Sequence, residues 1–267
     1  MQSLCGLTGK RILVLGGGQG MGEATVRLLT LLGAAVAVVD REQDRAEHVA
    51  AEVSRSGASA LPFSFDVLDD DALVAGIERI DREFGPLDGM ATVIGMAAWS
   101  TLLDMDMQTW DLDHARNLRY FFLAAREVAR SLLKRDAPGS IVCVSSVDGI
   151  RSAPLHGAYG AAKAGLINLA RTMAEEWSPH RIRVNVVSAG AVITPRVPHT
   201  GAEGEARMMA RVPMRRRGSV DEIAKAMVFF LSDLSSYVTG QTLAVDGGYT
   251  AATLFDLSLK ATPPQNR

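Results

Sequence analysis

Residues 11–22 read Arg11-Ile12-Leu13-Val14-Leu15-Gly16-Gly17-Gly18-Gln19-Gly20-Met21-Gly22: a short apolar run that breaks into glycines at the head of a helical pattern over 20–32. Glycines without Cβ atoms let backbone N–H groups approach a phosphate at the positive end of a helix. Two phosphate-loop spacings fail here. Gly17 and Gly22 enclose the four-residue gap of a nucleoside-triphosphate loop, but Glu23 comes next, a carboxylate where phosphate charge must be neutralised. The spacing G-x-G-x-x-G fails because Gly16-x-Gly18 is followed by Met21. What remains is G-x-x-x-G-x-G on Gly16, Gly20 and Gly22, with Gly18, Gln19 and Met21 in the same turn. The bland alternative is a merely tight turn. The position after a first strand, however, is where the pyrophosphate of a dinucleotide belongs.

Working outward, further strand-like runs lie at 34–39, 60–65, 87–94, 140–145, 181–187 and 242–245. They lack the polar alternation of a half-exposed sheet, as parallel strands buried on both faces do. Helical patterns at 41–56, 69–84, 117–135, 157–178 and 220–233 separate them, with Asp69 and Ser219 as capping residues. This alternation predicts a Rossmann-type, doubly wound α/β sheet of about seven parallel strands with helices on both faces. No composition break divides it, so residues 1–250 are expected to form one domain. An irregular substrate loop falls near 190–218, and 251–267 form a C-terminal tail.

Composition sets outer limits. The 267 residues are 48% hydrophobic and 22% charged, which argues against disorder. The net charge of −2 offers no cationic field for nucleic acid or an anionic membrane. Two cysteines, Cys5 and Cys143, make neither a disulfide framework nor a four-ligand zinc site; a cytoplasmic protein without a bound metal is expected. No apolar stretch reaches the length of a spanning helix, and the N-terminus lacks a signal-peptide layout.

Ligands of such a sheet bind beyond the carboxyl ends of its strands, so the residues just after each strand matter most. Asp40 ends the second strand, where a carboxylate accepts hydrogen bonds from both hydroxyls of an adenosine ribose and repels a 2′-phosphate. One pair of unit charges at 4 Å costs about 4 kcal/mol at an effective dielectric of 20. NAD is therefore favoured over NADP, although Arg41 and Arg45 soften the repulsion. Asp66, with Val67 after it, could meet the adenine or serve only as a cap. Ser145-Ser146 end the fifth strand, and the next helix carries Tyr159-Gly-Ala-Ala-Lys163, which places phenol and ammonium on one helix face. A free tyrosine, with its pKa near 10, is a poor base at pH 7. Lowering it about 3 units takes roughly 4 kcal/mol, which nearby positive charge can supply.

From Gly9 to Tyr249 the chain resembles the short-chain dehydrogenase/reductases. Asn117 matches the family's N-L-x-x asparagine, Ser146 its serine, and Tyr159 and Lys163 its Y-x-x-x-K. Val192 and Thr194 fall where the family grips the nicotinamide carboxamide. Gly218–Ala224 and Val245–Tyr249 resemble its C-terminal hallmarks. The resemblance implies an NAD-dependent alcohol dehydrogenase or ketone reductase. Tyr159 would be its general acid/base, Ser146 would hold the substrate oxygen, Lys163 would bind the nicotinamide ribose and Asn117 would order a water. It also implies a homotetramer. The chain departs from the family where N-N-A-G after the fourth strand appears as Thr92-Val93-Ile94-Gly95. Val93 and Ile94 add bulk there, and Thr92 offers one hydroxyl in place of an amide. Leu15 replaces a threonine before the first glycine.

Substrate contacts are expected from Met96, Trp99, Asp148 and His156 and from 192–214, where Met208 and Met209 stand out. The apolar character suggests a bulky alicyclic or steroid-like secondary alcohol or ketone. Arg215-Arg216-Arg217 could meet an anion or simply face water. Two rival functions are a 3-oxoacyl-[acyl-carrier-protein] reductase, which Asp40 disfavours, and a non-catalytic dinucleotide sensor, which the complete reactive set disfavours. Surplus apolar residues on the helices at 117–135 and 157–178 suggest a subunit interface.

Overall fold

The computed structural model describes residues 2–197 and 201–252. The apolar runs form β1 (Arg11–Leu15), β2 (Ala35–Asp40), β3 (Ala60–Ser64), β4 (Gly89–Thr92), β5 (Gly139–Ser146), β6 (Ile182–Ala189) and β7 (Thr242–Val245). All pair in parallel, in the order β3-β2-β1-β4-β5-β6-β7. The chain winds outward from β1 to β3 and then crosses back to place β4 beside β1. The sheet thus changes winding direction between these two strands, and a crevice opens at their carboxyl ends.

Two apolar layers flank the sheet. Leu13 and Leu15 face one layer, while Ile12 and Val14 face the other, which is why β1 shows no polar alternation. All four are 2% exposed or less, and burying each contributes about 1.5–3 kcal/mol. The first layer is closed by α4 (Asp70–Glu83), α6 (Tyr120–Lys134) and α7 (Gly157–Trp177), the second by α2 (Gly20–Leu31), α3 (Gln43–Arg55) and α9 (Val220–Leu231). Asp69 caps α4 by accepting from Ala72 N at 3.0 Å. Ser219 and Glu222 close a reciprocal capping box on α9.

Three helices go beyond the pattern read from sequence: α1 (Gln2–Cys5), α5 (Met107–His114) and α8 (Gly201–Met209). The helix expected at 117–135 therefore starts ten residues earlier. It runs through α5 and a π-turn at Ala115–Arg119 into α6. Asp106 caps it, accepting from Thr109 N at 2.7 Å. Of the α5 residues only Asp113 is buried, so no apolar stripe marks this helix in the sequence. The loop expected at 190–218 contains α8. The strand expected at 87–94 narrows to β4, because Val93 N bonds Leu15 O at 3.2 Å and the chain then turns toward the glycine loop. Most of the expected tail, 253–267, lies outside the described residues.

Candidate active site

The glycine turn is shaped by what a side chain would strike. A Cβ on Gly22 would lie 1.9 Å from the Gly16 carbonyl oxygen, so α2 can start against the turn only with glycine there. Gly16 itself has φ +83, and its N–H and that of Gly17 both donate to Val39 O, at 2.9 and 2.8 Å. A Cβ on Gly18 would lie 2.7 Å from Asp40 Oδ2, which instead accepts from Gly18 N at 3.2 Å. Asp40 Oδ1 accepts from Glu42 N at 3.1 Å. Each carboxylate oxygen has thus spent one lone pair on the backbone and keeps one for a ligand hydroxyl. A turn with no room for a Cβ at Gly18 or Gly22, beside a part-used carboxylate at the end of β2, fits the pyrophosphate and ribose of a dinucleotide. Arg41 is exposed and lies 3.3 Å from Glu42. Asp66 Oδ1 accepts from Leu68 N at 2.9 Å, a local turn that leaves its other oxygen without a hydrogen bond among the described residues, and Val67 is buried beside it.

Beyond β4 the departures from the family pattern acquire contacts. Thr92 is fully buried and its hydroxyl lies 2.9 Å from the Tyr120 hydroxyl, which donates onward to Ile94 O at 2.9 Å. Committed inside the core, Thr92 does not present its hydroxyl to a ribose, contrary to the expectation from sequence. The bulk of Val93 and Ile94 packs against the glycine turn, Val93 Cγ2 and Ile94 Cγ1 lying 3.1 and 3.0 Å from where a Gly16 Cβ would be. Gly95 separates two reactive side chains: a Cβ there would meet Asn117 Oδ1 at 2.7 Å and Lys163 Nζ at 3.0 Å.

Asn117, Ser146, Tyr159 and Lys163 meet at the ends of β4 and β5. Asn117 sits in the π-turn, a helical irregularity frequent at functional sites. Its amide donates to Met96 O and Asp113 O, both at 2.8 Å, and accepts from Met96 N at 3.2 Å. Lys163 Nζ donates to Val144 O at 2.9 Å and lies 5.7 Å from the Tyr159 ring centre. Its helix is pinned to β5 by Ser145, whose hydroxyl donates to Lys163 O at 3.1 Å. Ser146 Oγ accepts from Asp148 N at 3.1 Å and lies against the Tyr159 hydroxyl, keeping its own proton free to donate.

The protein's own groups raise the Tyr159 pKa. Burial pushes the Tyr159 phenol up to about 12, outweighing its Ser146 bond, and Asp148 and Asp113 push it further in the same direction. Burial pulls the Lys163 ammonium down to about 8. Desolvation outweighs the one opposing hydrogen bond, so the protein's own groups leave the phenol protonated at neutral pH.

On the substrate side, Met96 and Trp99 are exposed, and Trp99 packs edge-on against His156 with ring centres 4.2 Å apart. His156 Nδ1 lies 3.2 Å from Asp148 Oδ2, and its ring centre lies 6.1 Å from that of Tyr159. Val192 is buried where it bridges to Gly218, and Thr194 follows it into the loop. Met209 is buried, so it serves packing instead of lining the cleft. The arginine run is structural: Arg216 forks onto Glu222 at 2.7 and 2.8 Å, Arg217 pairs with Glu205, and Arg215 bonds Ala210 O. Two contacts escaped the sequence reading. Asp113 is fully buried, pairs with Arg116 and accepts from Ala98 N at 3.2 Å, which fixes the 96–98 segment; its i,i+4 spacing to Asn117 was the available signal. Gln19, with its amide oxygen turned outward, accepts from Arg196 at 2.6 and 3.0 Å, joining the glycine turn to the substrate loop.

Residues 16–250 match a family model described as Enoyl-(Acyl carrier protein) reductase. The chain is 37% identical over 246 residues to 2-(S)-hydroxypropyl-CoM dehydrogenase 3 of Xanthobacter autotrophicus, covering 90% of this chain and 96% of that one. It is 38% identical over 240 residues to cis-4-hydroxycyclohexanecarboxylate dehydrogenase of Sinomonas cyclohexanicum, again covering 90% and 96%. Its fold superposes on a crystal structure of a short-chain type dehydrogenase/reductase from Mycobacterium marinum with a TM-score of 0.88 at 31% identity, covering 94% and 99% of the two chains.

Proposed function

The chain belongs to the short-chain dehydrogenase/reductase family, and from that premise we propose that it interconverts a bulky, largely apolar secondary alcohol and its ketone with NAD. The observation that carries this reading is the meeting of Ser146, Tyr159 and Lys163 beside a glycine turn that ends on Asp40.

The turn Gly16–Gly22, including Gln19 and Met21, would hold the pyrophosphate, and Asp40 with Arg41 the adenosine ribose. Asp66 and Val67 would flank the adenine, Gly95 and Lys163 would face the nicotinamide ribose, and Val192 and Thr194 the carboxamide. When bound, NAD supplies the hydride acceptor. The protein's own groups handle the proton. Ser146, whose hydroxyl accepts from the Asp148 amide, directs its proton at the substrate oxygen and holds it beside Tyr159. Tyr159 passes a proton to that oxygen in reduction and takes one from it in oxidation. Its raised pKa keeps the proton in place at neutral pH for the reductive direction, whereas the oxidative direction requires added positive charge beside it to reach the phenolate. Lys163 provides part of that charge.

Met96 bonds Asn117, Trp99 packs on His156, and Leu102 and Leu155 lie beside the start of α7; all four are exposed, which favours an apolar substrate body. The family-model description concerns a carbon–carbon double bond, but a serine–tyrosine pair is built to bond an oxygen. Asp40 remains the argument against an acyl-carrier-protein reductase that uses NADP. The sensor reading gains nothing from Val93 and Ile94, because they pack against the glycine turn.

Incubation with NAD or NADP and a panel of alicyclic, steroidal and acyl-thioester substrates, followed by nicotinamide absorbance, tests the reading. Tyr159→Phe is expected to abolish turnover while NAD affinity stays within about twofold, since one hydroxyl is lost at the far end of the dinucleotide. Substantial residual turnover would overturn the assignment.

A further inference from the structure

We propose that Asp148 and His156 form a second polar anchor beside Tyr159 that selects secondary alcohols bearing a further hydroxyl group; this rests on the alcohol-oxidising reading above. Asp148 lies in the short 3-10 turn Val147–Gly149, immediately after Ser146, and His156 is the residue that caps α7 three positions before Tyr159. The pair is therefore carried by the same two elements that carry the reactive serine and tyrosine. His156 Nδ1 meets Asp148 Oδ2 at 3.2 Å, while Nε2 is covered and has no hydrogen-bond partner among the described residues.

A buried polar atom without a partner is uncommon and calls for an explanation. With Nδ1–H held by the carboxylate, Nε2 is the ring nitrogen left to meet a ligand. The complementary ligand group is a hydroxyl, which can donate to that nitrogen or accept from it, whereas a methylene offers it nothing. The indole packed on this ring belongs to Trp99, which is 75% exposed and can swing aside with little loss of buried area. Apolar surroundings with one unpartnered ring nitrogen near the phenol describe a ring or chain alcohol carrying a second hydroxyl.

The experiment compares cyclohexanol with 1,2- and 1,4-cyclohexanediol, using NAD and the wild-type protein, His156→Phe, Asp148→Ala and Asp148→Asn. The expected result is a kcat/KM ratio of diol to cyclohexanol of about tenfold or more for at least one diol, expressed mainly in KM. His156→Phe and Asp148→Ala should bring that ratio down by about tenfold. Asp148→Asn should retain most of it, because the amide oxygen still accepts from Nδ1–H. A ratio that survives His156→Phe, or a parallel loss for both alcohols as a purely structural role would give, overturns the proposal. Imidazole nitrogen NMR of the NADH-bound protein gives a reading free of turnover. The His156 Nε2 resonance, assigned by its loss in His156→Phe, should move with diol and stay still with cyclohexanol. Equal response to both alcohols, or to neither, overturns the anchor. No oxidation of any alcohol alongside a diol-selective shift would count against the proposed reaction and support the anchor.

Discussion

Lys163 is 2% exposed, with Nζ bonded to one backbone carbonyl, and its pKa falls from the ordinary 10.5 to about 8. Between those two values the folded protein binds fewer protons than the unfolded chain, so stability rises with pH across that window. Below pH 8 the cost of the buried charge is present in full, about 3 kcal/mol at 1.36 kcal/mol per unit. Lys163→Met removes that cost and gives up one hydrogen bond worth about 1 kcal/mol. It should therefore unfold at a higher temperature than wild type at pH 7, lose the advantage toward pH 10, and turn over no substrate; thermal unfolding at the two pH values measures this. Asp40→Asn keeps an oxygen for the Gly18 amide but removes the charge. It should raise the NADP-to-NAD ratio of kcat/KM by about a hundredfold, somewhat less than the full Coulombic figure because Arg41 and Arg45 already offset part of it. A ratio within threefold of wild type would show that Asp40 does not set cofactor choice. Both residues were legible in the sequence because spacing and position after a strand identify them. The state of Tyr159 was not: desolvation depends on what surrounds the phenol, and a one-dimensional pattern reports only its neighbours along a helix.

Helices show the same division. The strong apolar periodicity of α4, α6 and α9 exposed them in the sequence, and Asp69 and Ser219 marked the starts of α4 and α9. Met107–His114 escaped because it buries only Asp113 and Gly201–Met209 because it buries only Met209, leaving no apolar stripe to count. The π-turn between α5 and α6 escaped too, since nothing in Ala115-Arg-Asn-Leu-Arg119 distinguishes it from an ordinary helical turn. The docking of α2 on the glycine turn was readable, and it is testable. An alanine inside a helix normally stabilises by about 1 kcal/mol relative to glycine. At position 22 the added methyl would sit 1.9 Å from the Gly16 carbonyl oxygen, so the first turn of α2 must move away from the site. Gly22→Ala should lower both the melting temperature and NADH affinity, the latter by about tenfold or more because the N-terminal amides no longer converge. A fluorescence titration giving wild-type affinity would show that the turn is not the phosphate cradle.

At the scale of the molecule, the homotetramer implied by the family resemblance would need surfaces for a second copy to cover. The surplus of apolar residues read from the sequence shrinks in three dimensions: Tyr120, Phe121, Leu132, Leu166, Ile167 and Met173 all lie within the core. What remains on α6 is Phe122 and Leu133, 42% and 41% exposed and eleven residues apart, which is close to three full helical turns and places them on one face. Arg126 lies over the Phe122 ring at 5.5 Å, and both Arg126 and Arg130 reach Glu127. Apolar ends with a charged middle suit an antiparallel α6–α6′ contact, in which a two-fold axis sets each Phe122 against the partner's apolar end. A contact of this kind would join subunits pairwise, and a second pairwise contact elsewhere completes the expected tetramer. Sedimentation should give a species near four times the 28.5 kDa chain. Combining Phe122→Glu with Leu133→Glu should halve that mass or reduce it further while the circular dichroism of the fold persists, because both side chains already face solvent within the subunit. A monomeric wild-type protein would remove the case for a tetramer, and a double variant that sediments like wild type would move the interface away from α6.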